Sequence, residues 1–598
     1  MTTRPRLTAA VVGMVTAISL AACTAWFDPS PPESATPRPL PKVETSAPDS
    51  PLTVIADEDA VATAIATSTA VFASSPAVIV GVGDDAQQLL TAASASVALG
   101  VPMLLAAPDA PRSSREEPDG GAADPVAEEV ERLDAGHVVV IGGDDDDDLR
   151  FGDAVVSVPV HGSTSSALAE DVARVLGITL APTPLDAADG VLASVARLDA
   201  ATPQLLLESE DSEPGASESE PSEPEASEPE AAVSATPAPG TDDVRPTLPH
   251  VPRGEALRST VVVAVDEPAQ LAAVATARAA GATVTVLPAG VHDVQASPAA
   301  IEALHSAAGG PAIVVGAAFA TRTSLDWEVR AARTGAQLPG GGQRLFPGHL
   351  LVLEYGMPGV PALGILGEQP LAESVARAKE LAAAYVPLTS RTVMPAFEII
   401  TTLASGSAGD DGDYSTETDV EELRPWVEEA GRQGMYVVLD LQPGRSSFPS
   451  QLEQYRPLLE YPWVGLALDP EWRLAPDQHH LVDIGQVDAA EVNQVIALLA
   501  EICDTGDLPP KLLVLHQFRT DMILNRELVD VTRSEVTVLI HADGQGSQPA
   551  KQDTWRNLHE NAPAVAWGWK NFYDEDAPML TPEQTMQVQP PPDLVSYQ

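Results

Sequence analysis

Carboxyl and imidazole side chains follow a series of short apolar segments in the C-terminal part of this 598-residue chain. The residues with catalytic chemistry are Asp440, Asp469, Glu471, His541 and Asp543. Glycoside hydrolysis needs two carboxyl groups, one protonated as the acid and the other ionised as nucleophile or base. The pattern therefore favours a hydrolase, with Asp469 or Glu471 as the acid and Asp440 or Asp543 as the second carboxylate.

Polar and aromatic residues near the same segment ends are candidates for holding the substrate. Indole and phenol rings can stack on sugars, and polar side chains can bond to hydroxyl groups. The candidate substrate-binding residues are Glu354, Tyr355, Glu398, Gln442, Trp472, His516, Gln545, Trp569 and Lys570.

The two carboxyl candidates after the fourth segment also have a structural interpretation. Asp469 and Glu471 are alternatively helix caps or ion-pair partners of Arg473 and Arg445. Aromatic residues near them are alternatively part of the core. The two interpretations differ in whether the carboxyl groups meet at a common pocket.

The histidines have their own alternatives. His541 and Asp543 are alternatively a hydrogen-bonded structural pair or two ligands of a metal site, and His516 is alternatively a core histidine. No HExxH pattern or phosphate-binding glycine loop is present, so we expect no metal and no cofactor.

The elements that must position these residues form an alternating series of strands and helices over residues 346–598. This pattern predicts a (β/α)₈ barrel, in which chemistry is expected at the carboxyl ends of the strands. The predicted strands are Leu350–Gly356, Val393–Ile400, Met435–Gln442, Val464–Trp472, Lys511–Phe518, Val536–Gly544, Ala564–Asn571 and Leu594–Tyr597.

Strand periodicity predicts which side chains face the barrel axis. Residues two apart share a face, so Ala467, Asp469 and Glu471 should point together while Leu466 and Leu468 face the helices. The segment Leu468-Asp469-Pro470-Glu471-Trp472 loosely resembles the fourth-strand signature of barrel glycosidases. The commonest retaining type carries a nucleophilic glutamate on strand seven, where this chain has Trp569-Lys570-Asn571.

Two earlier units, 51–207 and 251–345, each read strand, helix, strand, helix, strand, which predicts parallel sheets. They resemble cell wall-binding repeat 2 modules through Gly100-Val101-Pro102-Met103-Leu104-Leu105 and Leu133-Asp134-Ala135-Gly136-His137-Val138-Val139-Val140-Ile141-Gly142-Gly143. The resemblance implies non-covalent binding of cell wall polysaccharide. Members of that family carry three modules; two are clear here, and 151–205 is a degenerate candidate for the third.

The N-terminal residues 1–23 read as a lipoprotein signal peptide. Arg4 and Arg6 precede an apolar stretch that ends in Leu20-Ala21-Ala22-Cys23, which resembles a bacterial lipobox whose cysteine takes a lipid. We therefore expect a lipid anchor on Cys23 at the outer face of the cytoplasmic membrane. Residues 24–50 form a Pro/Ser tether, and 208–250 form an acidic Ser/Pro/Glu linker.

The whole sequence thus predicts an α/β protein with tandem parallel-sheet modules followed by a (β/α)₈-like barrel. Its formal net charge of −53 argues against a nucleic-acid partner, because phosphates would be repelled. We expect an extracytoplasmic lipoprotein that associates with wall polymers and hydrolyses a glycan. The alternative is a non-catalytic wall-binding or scaffolding lipoprotein.

Overall fold

The computed structural model describes residues 40–106, 124–142, 151, 155–160, 165–186, 190–208 and 247–598. The predictions for Cys23, for the signal segment and for nearly all of the acidic linker lie outside the described residues. No helix in the described ranges is both long enough and apolar enough to cross a bilayer.

The first N-terminal sheet has four parallel strands, whose apolar runs are largely buried between helices. In spatial order these strands are Met103–Ala106, Ala77–Val82, His137–Gly142 and Val156–Val160. The helices that follow or precede them are Ala60–Val71, Ala86–Leu99, Pro125–Arg132 and Ser165–Leu176.

The second sheet also has four parallel strands, but one of them comes from the beginning of the described chain. In spatial order the strands are Thr283–Leu287, Val261–Val265, Ala312–Val315 and Leu52–Ile55. Leu52 lies opposite Ala312, so residues near the N-terminus complete a sheet built mainly from residues beyond 260. The associated helices are Leu271–Ala279, Pro298–Ser306 and Leu325–Arg333.

The two N-terminal sheets share one hydrophobic core. Helices Ala86–Leu99 and Leu271–Ala279 pack against each other through small side chains. Thr276 Oγ1 donates to the carbonyl of Met103 and accepts from its N–H, each at 3.0 Å. A parallel strand pair, Ala181–Pro184 with Gln204–Leu207, and helix Val191–Ala196 pack nearby.

The C-terminal region is a closed barrel of eight parallel strands, which confirms the predicted fold class. The last strand pairs with both the seventh and the first, so that Leu594 lies opposite both Gly568 and Leu351. The strands are β1 (His349–Gly356), β2 (Thr392–Ala404), β3 (Tyr436–Leu441), β4 (Val464–Leu468), β5 (Lys511–Gln517), β6 (Val536–Ala542), β7 (Ala566–Asn571) and β8 (Leu594–Tyr597).

Helices surround the barrel and cover the outward-facing side chains. They are Leu371–Ala383, Val420–Arg432, Phe448–Leu459, Ala489–Gly506, Gln548–His559 and Pro582–Thr585. Leu466 and Leu468 belong to the apolar layer under these helices, whereas Ala467 packs inside the barrel with Val514 and Leu539.

Strand β4 ends earlier than the sequence predicts. Residues Pro470–Trp472 form a short 3₁₀ turn instead of continuing the strand. Pro470 accounts for the break, because its ring fixes φ and it has no N–H for a ladder hydrogen bond. Glu471 therefore reaches the barrel mouth from a turn, and strand periodicity does not determine its direction.

Candidate active site

An imidazolium bracketed by two carboxylates forms the floor of the barrel mouth. His516 on β5 lies with Nε2 2.6 Å from Glu398 Oε1 and Nδ1 2.9 Å from Asp543 Oδ2. Ionised carboxylates only accept hydrogen bonds, so both ring nitrogens must donate. Burial works against this charge, but the two carboxylates raise the pKa of His516 well above its usual range.

His541 lies beside His516 on the neighbouring strand β6, and the two residues are in register. Its Nε2 is 2.9 Å from the hydroxyl of Ser596 on β8, while its Nδ1 has no hydrogen-bond partner among the described residues. Burial and the charge of His516 lower the pKa of His541 to about 3, so this ring is neutral at physiological pH.

Gly568 on β7 makes room for His541. A side-chain carbon at position 568 would lie 2.7 Å from His541 Cδ2, which is too close for a carbon–carbon contact. The small residue on one strand therefore allows the large ring on the next, within an interior that is otherwise tightly packed.

Asp543 lies just past the end of β6 and is held by two cations. Lys570 Nζ on β7 is 3.1 Å from Asp543 Oδ1, and His516 binds the other oxygen. Burial alone would raise the pKa of Asp543, but Lys570 and His516 hold it well below the ordinary range. Asp543 is consequently ionised at any physiological pH.

Tyr355 connects the first and third strands across the mouth. Its hydroxyl donates to Asp440 Oδ2 at 2.9 Å and accepts from the amide of Gln442 at 3.4 Å. Lys570 Nζ lies 3.6 Å from the centre of the Tyr355 ring, a cation–π contact. Burial raises the pKa of Asp440 to about 7.

Asp469 and Glu471 follow β4, and neither forms an ion pair with any residue that the structure describes. Asp469 is 2% exposed, and its Oδ1 makes no hydrogen bond to any described residue. Burial and the neighbouring Glu471 raise the pKa of Asp469 well above its ordinary value. Burial and the charge of Asp543 raise the pKa of Glu471 to about 7.

These groups surround an open cavity of about 650 Å³ at the carboxyl ends of the strands. Residues of the predicted site that line the cavity are Tyr355, Gln442, Asp469, Glu471, Trp472, Asp543, Gln545 and Lys570. Glu398, Asp440, His516 and His541 are fully buried and lie among or beneath them. The structure thus brings twelve of the fourteen predicted catalytic and binding residues to one end of the barrel.

Two predicted substrate-binding residues lie elsewhere. Glu354 neighbours Tyr355 on β1 and therefore points the other way, toward Arg377 on a surrounding helix, with 3.8 Å between Arg377 Nε and Glu354 Oε1. Trp569 is buried against Trp555, also in the helix layer. Both residues sit on the outward face of their strands, so neither reaches the cavity.

Several cavity residues escaped the sequence analysis. His480 lies in a loop and stacks on Trp472, with ring centroids 4.9 Å apart and an angle of 29°. Phe518 and Phe572 also line the cavity, each just beyond a strand end. Their positions after β5 and β7 were a usable signal, whereas nothing local distinguishes His480.

Glu398, His516 and His541 also present ligand-type atoms that lie within 4.8 Å of one another. In the arrangement described, both His516 nitrogens carry protons donated to carboxylates, which leaves this ring no lone pair for a metal. Glu398 and His516 therefore form a charged hydrogen-bond network that orients Asp543, and His541 lies beside it.

Comparison with known proteins yields little beyond this geometry. No family model matches the sequence, and no curated protein matches it. Cwp6 from Clostridium difficile is similar in structure at 12% sequence identity and a TM-score of 0.28, over 67% of this chain and 66% of that chain. The match thus spans slightly less than two thirds of Cwp6, and its TM-score is too low to establish a shared fold.

Proposed function

We propose that the barrel is a glycoside hydrolase with Glu471 as the general acid and Asp543 as the ionised carboxylate. One observation carries this assignment: two carboxyl groups line the same cavity, but only Asp543 is held by cations, Lys570 and His516, whereas Glu471 has no ion pair among the described residues. These surroundings move the pKa values of the two groups in opposite directions. Such a pair supplies the acid and the anion that glycosidic cleavage needs at neutral pH.

In the proposed reaction, Glu471 gives its proton to the glycosidic oxygen as the bond from that oxygen to the anomeric carbon breaks. The bonding electrons leave with the oxygen, and positive charge develops on the sugar ring. Asp543, fixed by Lys570 and His516, stabilises that charge without having to reorient. Water then supplies the hydroxyl of the product, and its proton restores Glu471.

Aromatic side chains around the cavity suit a carbohydrate. Trp472 is braced by His480, and Phe518 and Phe572 add further apolar surface beside the carboxyl groups. Sugar rings stack on such faces through their C–H groups while their hydroxyls reach polar side chains. Gln442 and Gln545 provide amides for those hydroxyls.

Glu471→Gln tests the acid. We expect hydrolysis of an unactivated glycan to fall by about 10²–10⁴-fold, the usual contribution of general acid catalysis. Nitrophenyl glycosides, whose leaving group needs little protonation, should lose much less activity. Asp543→Asn should abolish hydrolysis of both substrate types, and the exposed Asp574→Asn serves as a matched control. Unchanged activity in both site variants would disprove the assignment.

We further propose that the mature chain is anchored through lipid on Cys23. The basic start, the apolar stretch and the Leu20-Ala21-Ala22-Cys23 motif support this. Metabolic labelling with an alkyne fatty acid should mark the wild type and not Cys23→Ala. Release of the wild-type protein from membranes by salt alone would contradict the anchor.

Wall association through the N-terminal modules is also part of the proposal, and it is supported by the sequence resemblance of those modules. The full-length Cys23→Ala protein should sediment with isolated cell walls. Stripping secondary polymers from the walls with hydrofluoric acid should abolish this sedimentation. Equal binding to stripped walls would show that the modules do not hold those polymers.

A further inference from the structure

We propose that the glycan cleaved at this mouth carries a protonated amine, as in a hexosamine polymer with free amino groups. The inference deepens the proposed hydrolase function and rests on it. It starts from the numbers of acidic and basic groups at the mouth, where carboxyl groups outnumber basic side chains.

Among the residues that the structure describes, five carboxyl groups and two basic side chains gather at the mouth. The carboxyl groups are those of Glu398, Asp440, Asp469, Glu471 and Asp543. The cations, His516 and Lys570, form their close contacts with Glu398 and Asp543. Asp440, Asp469 and Glu471 are left without an ion pair in the described ranges.

The nearby arginines are engaged elsewhere. Arg473 pairs with Glu491, with Nε 3.1 Å from Oε1. The guanidinium of Arg445 lies 3.9 Å from the centre of the Tyr414 ring and donates to the carbonyl of Gln478. Neither arginine therefore neutralises the carboxyl groups after β4.

Asp469 gives the most direct evidence that the cavity accommodates a hydrogen-bond donor from a ligand. It lines the cavity, is 2% exposed and has an oxygen with no hydrogen-bond partner among the described residues. A buried carboxyl group in this state is costly unless it stays protonated or meets a donor. A substrate ammonium offers both charge and N–H donors, and charge-assisted hydrogen bonds of this kind are short and strong.

The remainder of the cavity fits an ammonium group on a sugar. Trp472, Phe518 and Phe572 place aromatic surface beside the carboxyl groups, and ring faces attract cations as well as sugar C–H groups. The chain's net charge of −53 adds a long-range field that draws polycationic chains toward the protein. An N-acetylated sugar would present neither charge nor ammonium donors to Asp469.

Two oligosaccharides that differ only in the amine test the proposal. We would measure binding of glucosamine oligomers and of N-acetylglucosamine oligomers of equal length and linkage to full-length Cys23→Ala protein carrying Glu471→Gln, which prevents turnover. We expect the free-amine oligomer to bind at least about tenfold more tightly. Asp469→Asn should remove this preference, and Asp574→Asn, at an exposed position outside the cavity lining, should leave it unchanged.

A measurement on protein with intact Asp469 guards against misfolding of that variant. Affinity for the free-amine oligomer should fall as ionic strength rises, and affinity for the acetylated oligomer should stay constant. Equal affinity for both oligomers, or tighter binding of the acetylated one, would overturn the proposal. Binding of Mg²⁺ or Ca²⁺ alone that requires Asp469 would also overturn it in favour of a metal site.

The outcomes for the two proposals remain distinct. If the otherwise wild-type protein cleaves acetylated glycans in preference to free-amine ones and loses activity with Glu471→Gln, the hydrolase proposal is supported. The proposal of a free-amine substrate is then wrong. If the free-amine oligomer binds through Asp469 and no glycan is cleaved, the hydrolase fails and the site is an amino-sugar binding site.

Discussion

His516 and His541 lie side by side with ring centroids 4.8 Å apart, yet their environments favour opposite protonation states. Carboxylates at both nitrogens keep His516 charged, and that charge together with burial keeps His541 neutral. The pair therefore places one fixed positive charge under Asp543 at neutral pH.

Hydrolysis should decline as pH rises past neutrality. Glu471 acts in its protonated form, and its pKa is raised to about 7. Above that pH, the fraction of protein with Glu471 protonated falls with each further pH unit. The rate should fall about tenfold per unit above about pH 8. Rates measured across this range test the point, and Glu471→Gln should lack this alkaline limb. A rate that stays constant to about pH 9 would contradict the acid role.

Glu398→Gln should move the acidic limb of the same profile toward higher pH. Glu398 touches His516 and not the cavity, so it acts as a positioning residue. Its loss lowers the pKa of His516, and a less charged His516 stabilises ionised Asp543 less well. A uniform drop in rate with an unmoved acidic limb would indicate a merely structural role.

Gly568→Ala should displace His541 from its place beside Ser596. The added carbon would meet His541 Cδ2 at 2.7 Å, and overpacking of this kind costs about 1–3 kcal/mol of stability. We expect a lower melting temperature and reduced activity. Gly348→Ala, where an added carbon meets nothing within 4 Å, is the matched control and should change neither.

Lys551→Met should destabilise the barrel and disturb Lys570. Lys551 Nζ donates to the carbonyl of Lys570 at 2.7 Å and to Asp576 Oδ2 at 2.6 Å, within a buried setting. Removing one partner of a buried ion pair costs about 3–5 kcal/mol, because the other charge is left unpaired. Denaturant titration measures the loss, and the double variant Lys551→Met/Asp576→Asn should recover part of it.

Glu354→Gln should stabilise the protein in mildly alkaline solution. Burial raises the pKa of Glu354 to about 8, above its unfolded value of about 4.3, so the native state holds the proton more tightly. Stability is therefore fully present below about pH 4 and is lost as pH rises toward 8. The variant should exceed the wild type by about 2–4 kcal/mol near pH 8.5 and match it near pH 4.

Chemical denaturation at the two pH values checks this prediction. Glu368→Gln is the control, because Glu368 also pairs with Arg377 but is half exposed. Equal stability of wild type and Glu354→Gln at alkaline pH would contradict the buried-carboxyl interpretation.

The barrel and the inward direction of most mouth residues were predictable, because the period of a strand is independent of distant contacts. The same rule separates Glu354 from Tyr355 and Trp569 from Lys570, which are neighbours in sequence and so face opposite sides. The prediction that all four residues bind substrate was therefore inconsistent with this rule.

Other features depend on contacts that no local pattern encodes. The pairing of His541 with Ser596 and the stacking of His480 on Trp472 join residues far apart in sequence or in irregular loops. The direction of Glu471 depends on the turn at Pro470. Such relationships arise from tertiary packing and need coordinates to be seen.

The edge strand Leu52–Ile55 imposes an order on folding during synthesis. Its hydrogen-bonding neighbour, Ala312–Val315, emerges some 260 positions later, since Leu52 pairs with Ala312. The backbone groups of Leu52–Ile55 therefore have no partner strand while the first sheet assembles. The second sheet is completed only when nearly the entire N-terminal half of the chain is present. In truncated chains the strand Leu52–Ile55 therefore stays exposed, and proteases should cleave such chains there.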